Sequence, residues 1–489
     1  MALVGRPRTI TAAALLAAPA LLGFMSGGFF EAPRLWAGLI VWAAVAVLAL
    51  TGHVALLARG PALVALLGLA GLAAWTTASI GWTPLRDPAL GDAERVWMYA
   101  GYLLLACALL RGAIARAVEP ALAGGTVVVG GYAVATRLLP TLIPSEHSAS
   151  AGARLDQPLT YWNALGAVVA VGVVLLLRLA ADEGRPRALR AIALAAVPVN
   201  GLALYLTFSR GSLAALAAGV ITLLVLERNR RAAAVVVAGL ACAGLVAALA
   251  SAFPAVDSLA GDAAKQRNEG LAVLAGLAIA CGLAALAEMA ISHGAADRLR
   301  SVRVRVAAAL ALAALVAGGV FAVTRDPAPA PQNVPSRGAD LPTTRARLAT
   351  LKSNRYDYWK VALHGFGDKP LFGVGAHGFQ QLWLQRRTIR ENAQDAHSLY
   401  IETAAELGVV GIALLLAFLG GVIACMRRLL AQPRTRALAV GWAAASACWL
   451  VHAGVDWDWE MPAVSLLFLA LAGAAIGTAG DQLVERGGG

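Results

Sequence analysis

Apolar runs rich in Ala, Leu, Val and Gly recur along the whole chain and dictate what it can become. Each is about 17 to 24 residues long, enough to cross roughly 30 Å of hydrocarbon at about 1.5 Å per residue. Hydrocarbon offers no partner to a backbone N–H or C=O, so each run has to be a helix. The runs centre near Ala18, Val47, Gly68, Leu104, Val128, Val169, Ala196, Ala217, Gly239, Ala278, Leu312, Leu414, Ala445 and Leu469. They predict an all-α polytopic membrane protein with about 12–14 transmembrane helices. Hydrophobic residues make up 59% of the chain and charged ones only 14%, far from the composition of a soluble domain.

Orientation follows from arginine, which short cytoplasmic loops retain. Arg6 and Arg8, Arg111 and Arg116, Arg185 to Arg190, Arg228 to Arg231, Arg298 to Arg305 and Arg427 to Arg436 bracket spans that alternate, and all fall on one side. Both termini then lie in the cytoplasm, with Arg6 and Arg8 preceding an uncleaved anchor rather than a cleaved signal peptide. The net charge of +12 comes largely from these topology-setting arginines, which argues against nucleic acid as a partner. The segments near 140–159, 209–211, 251–270, 324–407 and 456–460 face outward. Three parts result: residues 1–323 with about eleven transmembrane helices, an extracytoplasmic loop at 324–407 containing short helices, and residues 408–489 with about three more.

The outward loop is where the composition changes. Its first part, DPAPAPQNVPSRGADLP, reads as an extended linker. From Thr343 or Thr344 the sequence predicts one amphipathic helix through RARLATLKSNRYDYWKVALHGF, with Arg355 and Trp359 on one face at i and i+4. The Gly-rich turn GFGDKPLFGVGAHGF can expose backbone amides. Asp395 and Ser398 are candidate N-caps for the helix that runs on through Tyr400 and Glu406 into the next span. His397 then occupies the first turn or its edge, where the helix dipole favours a neutral ring able to accept a proton, as a general base requires.

Other polar residues punctuate the apolar runs. In LTFSRGSLAALAAG, Arg210 stands between two spans at the outer face, where it either snorkels to lipid headgroups or binds a substrate phosphate. In ARLDQPLTYWNALG, Arg154 is an interfacial anchor or a second phosphate ligand, and Asn163 reads first as a hydrogen bond between helices. The loop HAGVDWDWEMP carries Asp456, Asp458 and Glu460, which either counterbalance arginines, bind sugar hydroxyls or form a solvated turn. Glu402 and Glu406, four apart, either orient a loop arginine, cap a polar network at the membrane entrance or lie on an exposed face. Cys107, Cys242, Cys281, Cys425 and Cys448 lie in or beside apolar runs without CxxC spacing and read as packing residues. GxSxG, HExxH and Walker A signatures are absent from the sequence, and His364, His377 and His397 match no zinc spacing.

Taken in order, the SRG after an apolar span, Arg355-x-x-x-Trp359, the P-x-x-G-x-G turn at Pro370 to Gly375 and the A-H-S-x-Y/E-x-G run at Ala396 to Gly408 resemble the O-antigen ligase and O-antigen polymerase superfamily. The likeness covers roughly residues 150 to 425. It implies an all-helical GT-C-like glycosyltransferase that moves a glycan from a polyprenyl-diphosphate carrier to an acceptor hydroxyl at the outer face of the bacterial cytoplasmic membrane, without metal, cofactor or nucleotide sugar. It also implies His397 as the base, with Arg210 and Arg355 holding the diphosphate. Ser398 stands where that family commonly has asparagine. The residue chemistry agrees, since glycosyl transfer needs a proton acceptor and cations for a departing diphosphate, and direct displacement inverts the anomeric centre. The expected partners are the lipid-linked glycan donor, a glycan or lipid-anchored acceptor and membrane lipids. Polymerisation differs from ligation only in the acceptor. A flippase for the same lipids is the rival class, which would carry polar residues deep in several spans.

Overall fold

The computed structural model describes residues 5–52, 58–146, 148, 150–292, 343–349, 353–387 and 389–487. Among the described residues the chain is helical without strands, and ten helices are long and apolar enough to cross a membrane. Every expected span centre falls within a helix except Leu312, which lies outside the described residues together with the Pro- and Ala-rich linker. Three of those helices fall short of the apolar length of a span. Gly5–Gly23 is apolar only from Arg8, Arg86–Leu109 carries its charges in its first turns, and Pro433–Ala453 opens on a basic turn.

The described residues form two compact units, those within 1–122 and 353–489 in the first and those within 123–292 and 343–349 in the second. In the first unit Pro462–Gly487 packs on Arg86–Leu109, Gly5–Gly23, Leu399–Leu430 and Pro433–Ala453. Pro61–Ser79 lies along Leu399–Leu430 so closely that a Cβ on Gly68 would come within 2.9 Å of Phe418 Cα. Small residues of this kind let helix backbones approach where lipid supplies no hydrophobic drive. The helix ends that carry Arg111 and Arg428 lie at one end of this unit. Arg111 pairs with Asp481 at 2.5 Å, and Gly60 faces the Arg428 guanidinium. The turns near 24–30, 80–85 and 454–461 belong to the opposite helix ends.

In the second unit Trp162–Ala181, buried along its apolar length, packs on Arg187–Leu206, Arg210–Glu227 and Arg230–Ser251. Arg190 and Arg231 converge on the buried Glu288. At the other end Arg137 donates to the carbonyls of Val256 (2.9 Å) and Ala153 (2.7 Å), joining two turns of this unit.

The long amphipathic helix expected from Thr343 is not continuous. A short 3-10 turn covers Arg345–Ala349, and the α-helix begins only at Arg355, after Asn354, and ends at Asp368. Asn354 then occupies the N-cap position that the sequence reading gave to a threonine.

Candidate active site

The polar segment of the first unit builds a small core of its own. Tyr358, Val361 and Ala362 from Arg355–Asp368 pack on Phe379, Leu382 and Trp383 from Gly378–Arg386, with Trp359 partly buried against them. Trp383 Nε1 donates to Glu391 O at 2.7 Å, which ties the segment around Glu391 to this core. His397 emerges beside it in the left-handed conformation, φ 55°, immediately before Ser398. Ser398 is the N-cap, its hydroxyl accepting from Ile401 N–H at 3.4 Å, so of the two candidate caps Asp395 is not used. Histidine adopts positive φ more readily than most residues, but the conformation still costs energy and persists only where neighbours hold it.

Those neighbours are explicit. His397 Nδ1 lies 3.1 Å from the Asp395 carbonyl oxygen. A carbonyl only accepts, so Nδ1 carries the hydrogen and, in a neutral ring, Nε2 keeps the lone pair. The ring stands 5.2 Å from Tyr358 and 6.2 Å from Trp457, centroid to centroid. Burial, then hydrogen bonding to Glu391, pushes the Tyr358 phenol far up, so it stays neutral.

Trp457 reaches His397 because the acidic loop is folded inward. Asp456 is fully buried and takes the Arg355 guanidinium, while its other oxygen accepts from Trp457 N–H at 3.0 Å. Asp458, 1% exposed, pairs with the buried His452 at 2.7 Å. Glu460 meets Arg95 at 3.4 Å. A solvated turn is therefore the wrong reading of this loop, because each carboxylate is buried against a partner, Arg355 and Arg95 from distant segments and His452 from the end of the preceding helix. Asp92, Arg95 and His452 were missed by motif reasoning. The available signal was a set of charges in the opening turns of the otherwise apolar Arg86–Leu109.

The glycine amides at the centre of the Gly-rich turn are not free. Gly373 N–H donates to Lys369 O, Val374 N–H to Ala405 O and Gly375 N–H to Glu406 O, while Val409 N–H returns to Pro370 O. The two motifs interlock where the backbone of Leu399–Leu430 breaks at Gly408. Gly373, at φ 70°, lies so near this break that a Cβ would sit 2.6 Å from Leu407 N and closer still to the Glu406 carbonyl. Glu406 is 7% exposed rather than on an open face. Its two oxygens accept from His377 N–H and Phe379 N–H, each at 3.0 Å. Glu402 accepts from Ala396 N–H at 2.7 Å. His377, also at positive φ, pairs through Nδ1 with Asp92 at 3.2 Å. Burial alone would lower its pKa, but the bond to Asp92 and that carboxylate's charge lift it to about 9.

Asp395, Glu402 and Glu460 bring carboxylate oxygens within 4.8 Å of one another, a grouping with the donor chemistry for a hard cation. Protein donors already engage two of them, Arg95 on Glu460 and Ala396 N–H on Glu402.

The second unit brings its own three residues near one another. Arg154 is 6% exposed, lies flat over Trp162 with Cζ 3.5 Å from the ring centroid, and donates to the carbonyls of Ala151 (2.8 Å) and Ser150. Burial, and then the charge of Arg347, lowers its pKa to about 10. Asn163 Nδ2 donates to Tyr161 Oη at 2.7 Å, and its carbonyl accepts from Ser212 Oγ at 3.4 Å. Ser212 sits in the first turn of Arg210–Glu227, whose N-cap Ser209 accepts from Ser212 N–H. The chain reverses into that helix through Phe208 at φ 48°, which presents Arg210 as the first helical residue, half-buried.

Residues 191–416 match the family model for O-antigen ligase. No curated protein matches the chain.

Proposed function

We propose that this chain, whose residues 191–416 match the O-antigen ligase family model, is a metal-independent, inverting glycosyltransferase using a polyprenyl-diphosphate-linked glycan as donor. The observation that carries the reading is the bond between His397 Nδ1 and the Asp395 carbonyl, which leaves Nε2 as the proton acceptor. The acceptor hydroxyl oxygen forms the new bond to the anomeric carbon and its proton goes to His397 Nε2. The bond from that carbon to the diphosphate oxygen breaks, and the electron pair leaves with polyprenyl diphosphate. Attack opposite the leaving group inverts the centre. Arg154, Arg210 and Arg355 are the cations proposed to receive the diphosphate, each guanidinium having five donors to share between protein and ligand. Trp359 supports Arg355 from the next turn of its helix, while Glu402, Glu406 and Asn163 hold backbone around these groups.

The location proposed is the extracytoplasmic face of a bacterial cytoplasmic membrane. It is supported by the first unit, where the helix ends that carry Arg111 and Arg428 lie opposite the ends that carry His397 and Arg355. The acceptor is a glycan or a lipid-anchored hydroxyl. Purified protein incubated with a polyprenyl-diphosphate oligosaccharide tests the reading by release of free polyprenyl diphosphate. A single product shift marks ligation and a length ladder marks polymerisation, whereas lipid movement without release marks a flippase. Loss of the base lowers such a rate by about 10²- to 10⁴-fold, so near wild-type release by His397→Ala overturns the assignment.

A further inference from the structure

The first unit contains a cavity of about 530 Å³ that none of the groups above occupies. Its volume is that of a small-molecule site, about 300 to 1,000 Å³. The wall abuts the proposed base at two points. Asp395 lines the cavity, and its carbonyl receives the His397 Nδ1–H. Phe29 lines it too and packs edge-on against Trp457 at 5.1 Å, the same indole that faces His397.

The chemistry of the wall excludes an anionic occupant. Glu31, Asp87, Asp92, Glu94, Asp395 and Glu460 outnumber Arg34, Arg95 and His377. Each of those cations is already matched: Arg34 by Glu94 at 3.9 Å, Arg95 by Asp92 at 2.9 Å and Glu460, and His377 by Asp92. A phosphate or uronate entering here would meet carboxylates and find no uncommitted charge. What the wall does offer is a dense set of hydrogen-bonding groups beside two aromatic rings, Phe29 and the exposed Phe30. Burial holds the Asp395 and Glu460 carboxyls above the usual carboxylate range, and the wall sets such acceptors beside the guanidinium donors of Arg34 and Arg95. Arg95 Nε is buried without a partner among the described groups. Polar groups that both give and accept, interleaved with apolar faces, match a polyhydroxylated ring, whose hydroxyls radiate at the edge and whose C–H groups form a flat apolar face.

We infer that this cavity binds an uncharged saccharide and selects it against phosphorylated or acidic sugars. The binding stands on the cavity alone; its use in transfer rests on the function proposed above. The saccharide is either the acceptor's glycan or the donor's own.

The test uses the full chain in detergent micelles, with saturation-transfer NMR on the uncharged trisaccharides of glucose, galactose, mannose and N-acetylglucosamine, each beside its 6-phosphate. At least one uncharged member is expected to bind, with its phosphate weaker by about ten-fold or more. Phe30→Ala is expected to weaken binding by about three- to ten-fold, and Glu94→Gln to weaken it measurably. Both should keep the wild-type melting temperature, since both side chains are partly or largely exposed. His397→Ala should bind the saccharide as wild type does. Binding by none of the four, equal binding of the phosphates, or unchanged affinity in both wall variants overturns the inference. Competition by the trisaccharide against the acceptor identifies the acceptor's glycan as the occupant, and competition against the lipid-linked donor identifies the donor's. If the saccharide binds but no polyprenyl diphosphate is ever released, the transfer reading fails and the cavity stands.

Discussion

Gly373→Ala is a severe test of the interlocked turn, because a single methyl group strikes it in two ways. The residue sits at φ 70°, where alanine costs about 1 to 2 kcal/mol relative to its right-handed alternatives. Its new Cβ would also overlap the Glu406 carbonyl and Leu407 N, which belong to backbone and have no rotamer by which to retreat. The turn has to lift, and the bonds Val374 N–H to Ala405 O (3.0 Å) and Gly375 N–H to Glu406 O (2.8 Å) go with it. At about 0.5 to 1.5 kcal/mol each, the total reaches about 2 to 5 kcal/mol, a large part of a typical stability of about 5 to 15 kcal/mol. Gly367→Ala is the matched control. It lies in Arg355–Asp368 with nothing within 4 Å of its Cβ, so the change should be neutral or stabilise by up to about 1 kcal/mol. Thermal unfolding in micelles, followed by tryptophan fluorescence, compares the two, and hydrogen exchange at residues 370–378 localises the damage. A Gly373→Ala protein within about 0.5 kcal/mol of wild type, or no worse than Gly367→Ala, would refute the packing argument.

Asp456→Asn leaves Arg355 without its buried counter-charge and frees the loop that carries Trp457; a loss of about 3 to 5 kcal/mol is the range for breaking one side of a buried pair. Chemical denaturation measures it, and an unchanged midpoint would show that the ion pair holds nothing. His377 predicts a pH dependence of stability. Its folded pKa near 9 lies above an unfolded value near 6.5, so its contribution is complete below about pH 6.5 and is lost as pH rises through about 9, roughly 3 kcal/mol in all. Melting temperature should fall across that window, and Asp92→Asn should flatten the fall; an equal slope in the variant contradicts the pairing. Ser398→Ala removes the cap in front of Leu399–Leu430 and should cost about 1 kcal/mol, while Ser398→Asn should stay within about 0.5 kcal/mol of wild type, both read from thermal unfolding.

The sequence discloses most of what depends on local rules. Each apolar run had to be a helix because no other conformation satisfies its backbone in lipid, and the helices at Trp162–Ala181 and Pro462–Gly487 lie where the runs place them. Ser398 was legible as a cap for the same reason, since its partner is three residues away. What stayed hidden depends on groups brought together over long separations. Asp456 reads as a loop acid until Arg355, 101 residues earlier, is seen on it. The turn at Pro370–Gly375 carries the signature of exposed amides, yet those amides are spent on the backbone of residues 369, 405 and 406. His377 looks like an isolated loop histidine because its partner, Asp92, is 285 residues away on a helix that reads mainly as apolar.

The groups proposed for chemistry and the groups that hold them come from different parts of the chain. His397, Arg355 and Arg210 lie within the stretch 191–416 that matches the O-antigen ligase family. The acid on Arg355 and the indole beside His397 come from residues 456–457, beyond that stretch. Ala376 is gripped at both ends of its backbone by residues far upstream, its N–H by Ser79 Oγ and its carbonyl by Thr83 Oγ. Most of the cavity wall likewise comes from residues 29–34 and 87–95. A change in those early segments can therefore alter which saccharide is accepted while the bond from His397 to Asp395 stays as it is. A change at Asp456 has no such freedom, because the same carboxylate anchors Arg355 and fixes the Trp457 amide. Saccharide preference and transfer rate should accordingly separate under mutation of Phe30 or Glu94 and fall together under mutation of Asp456.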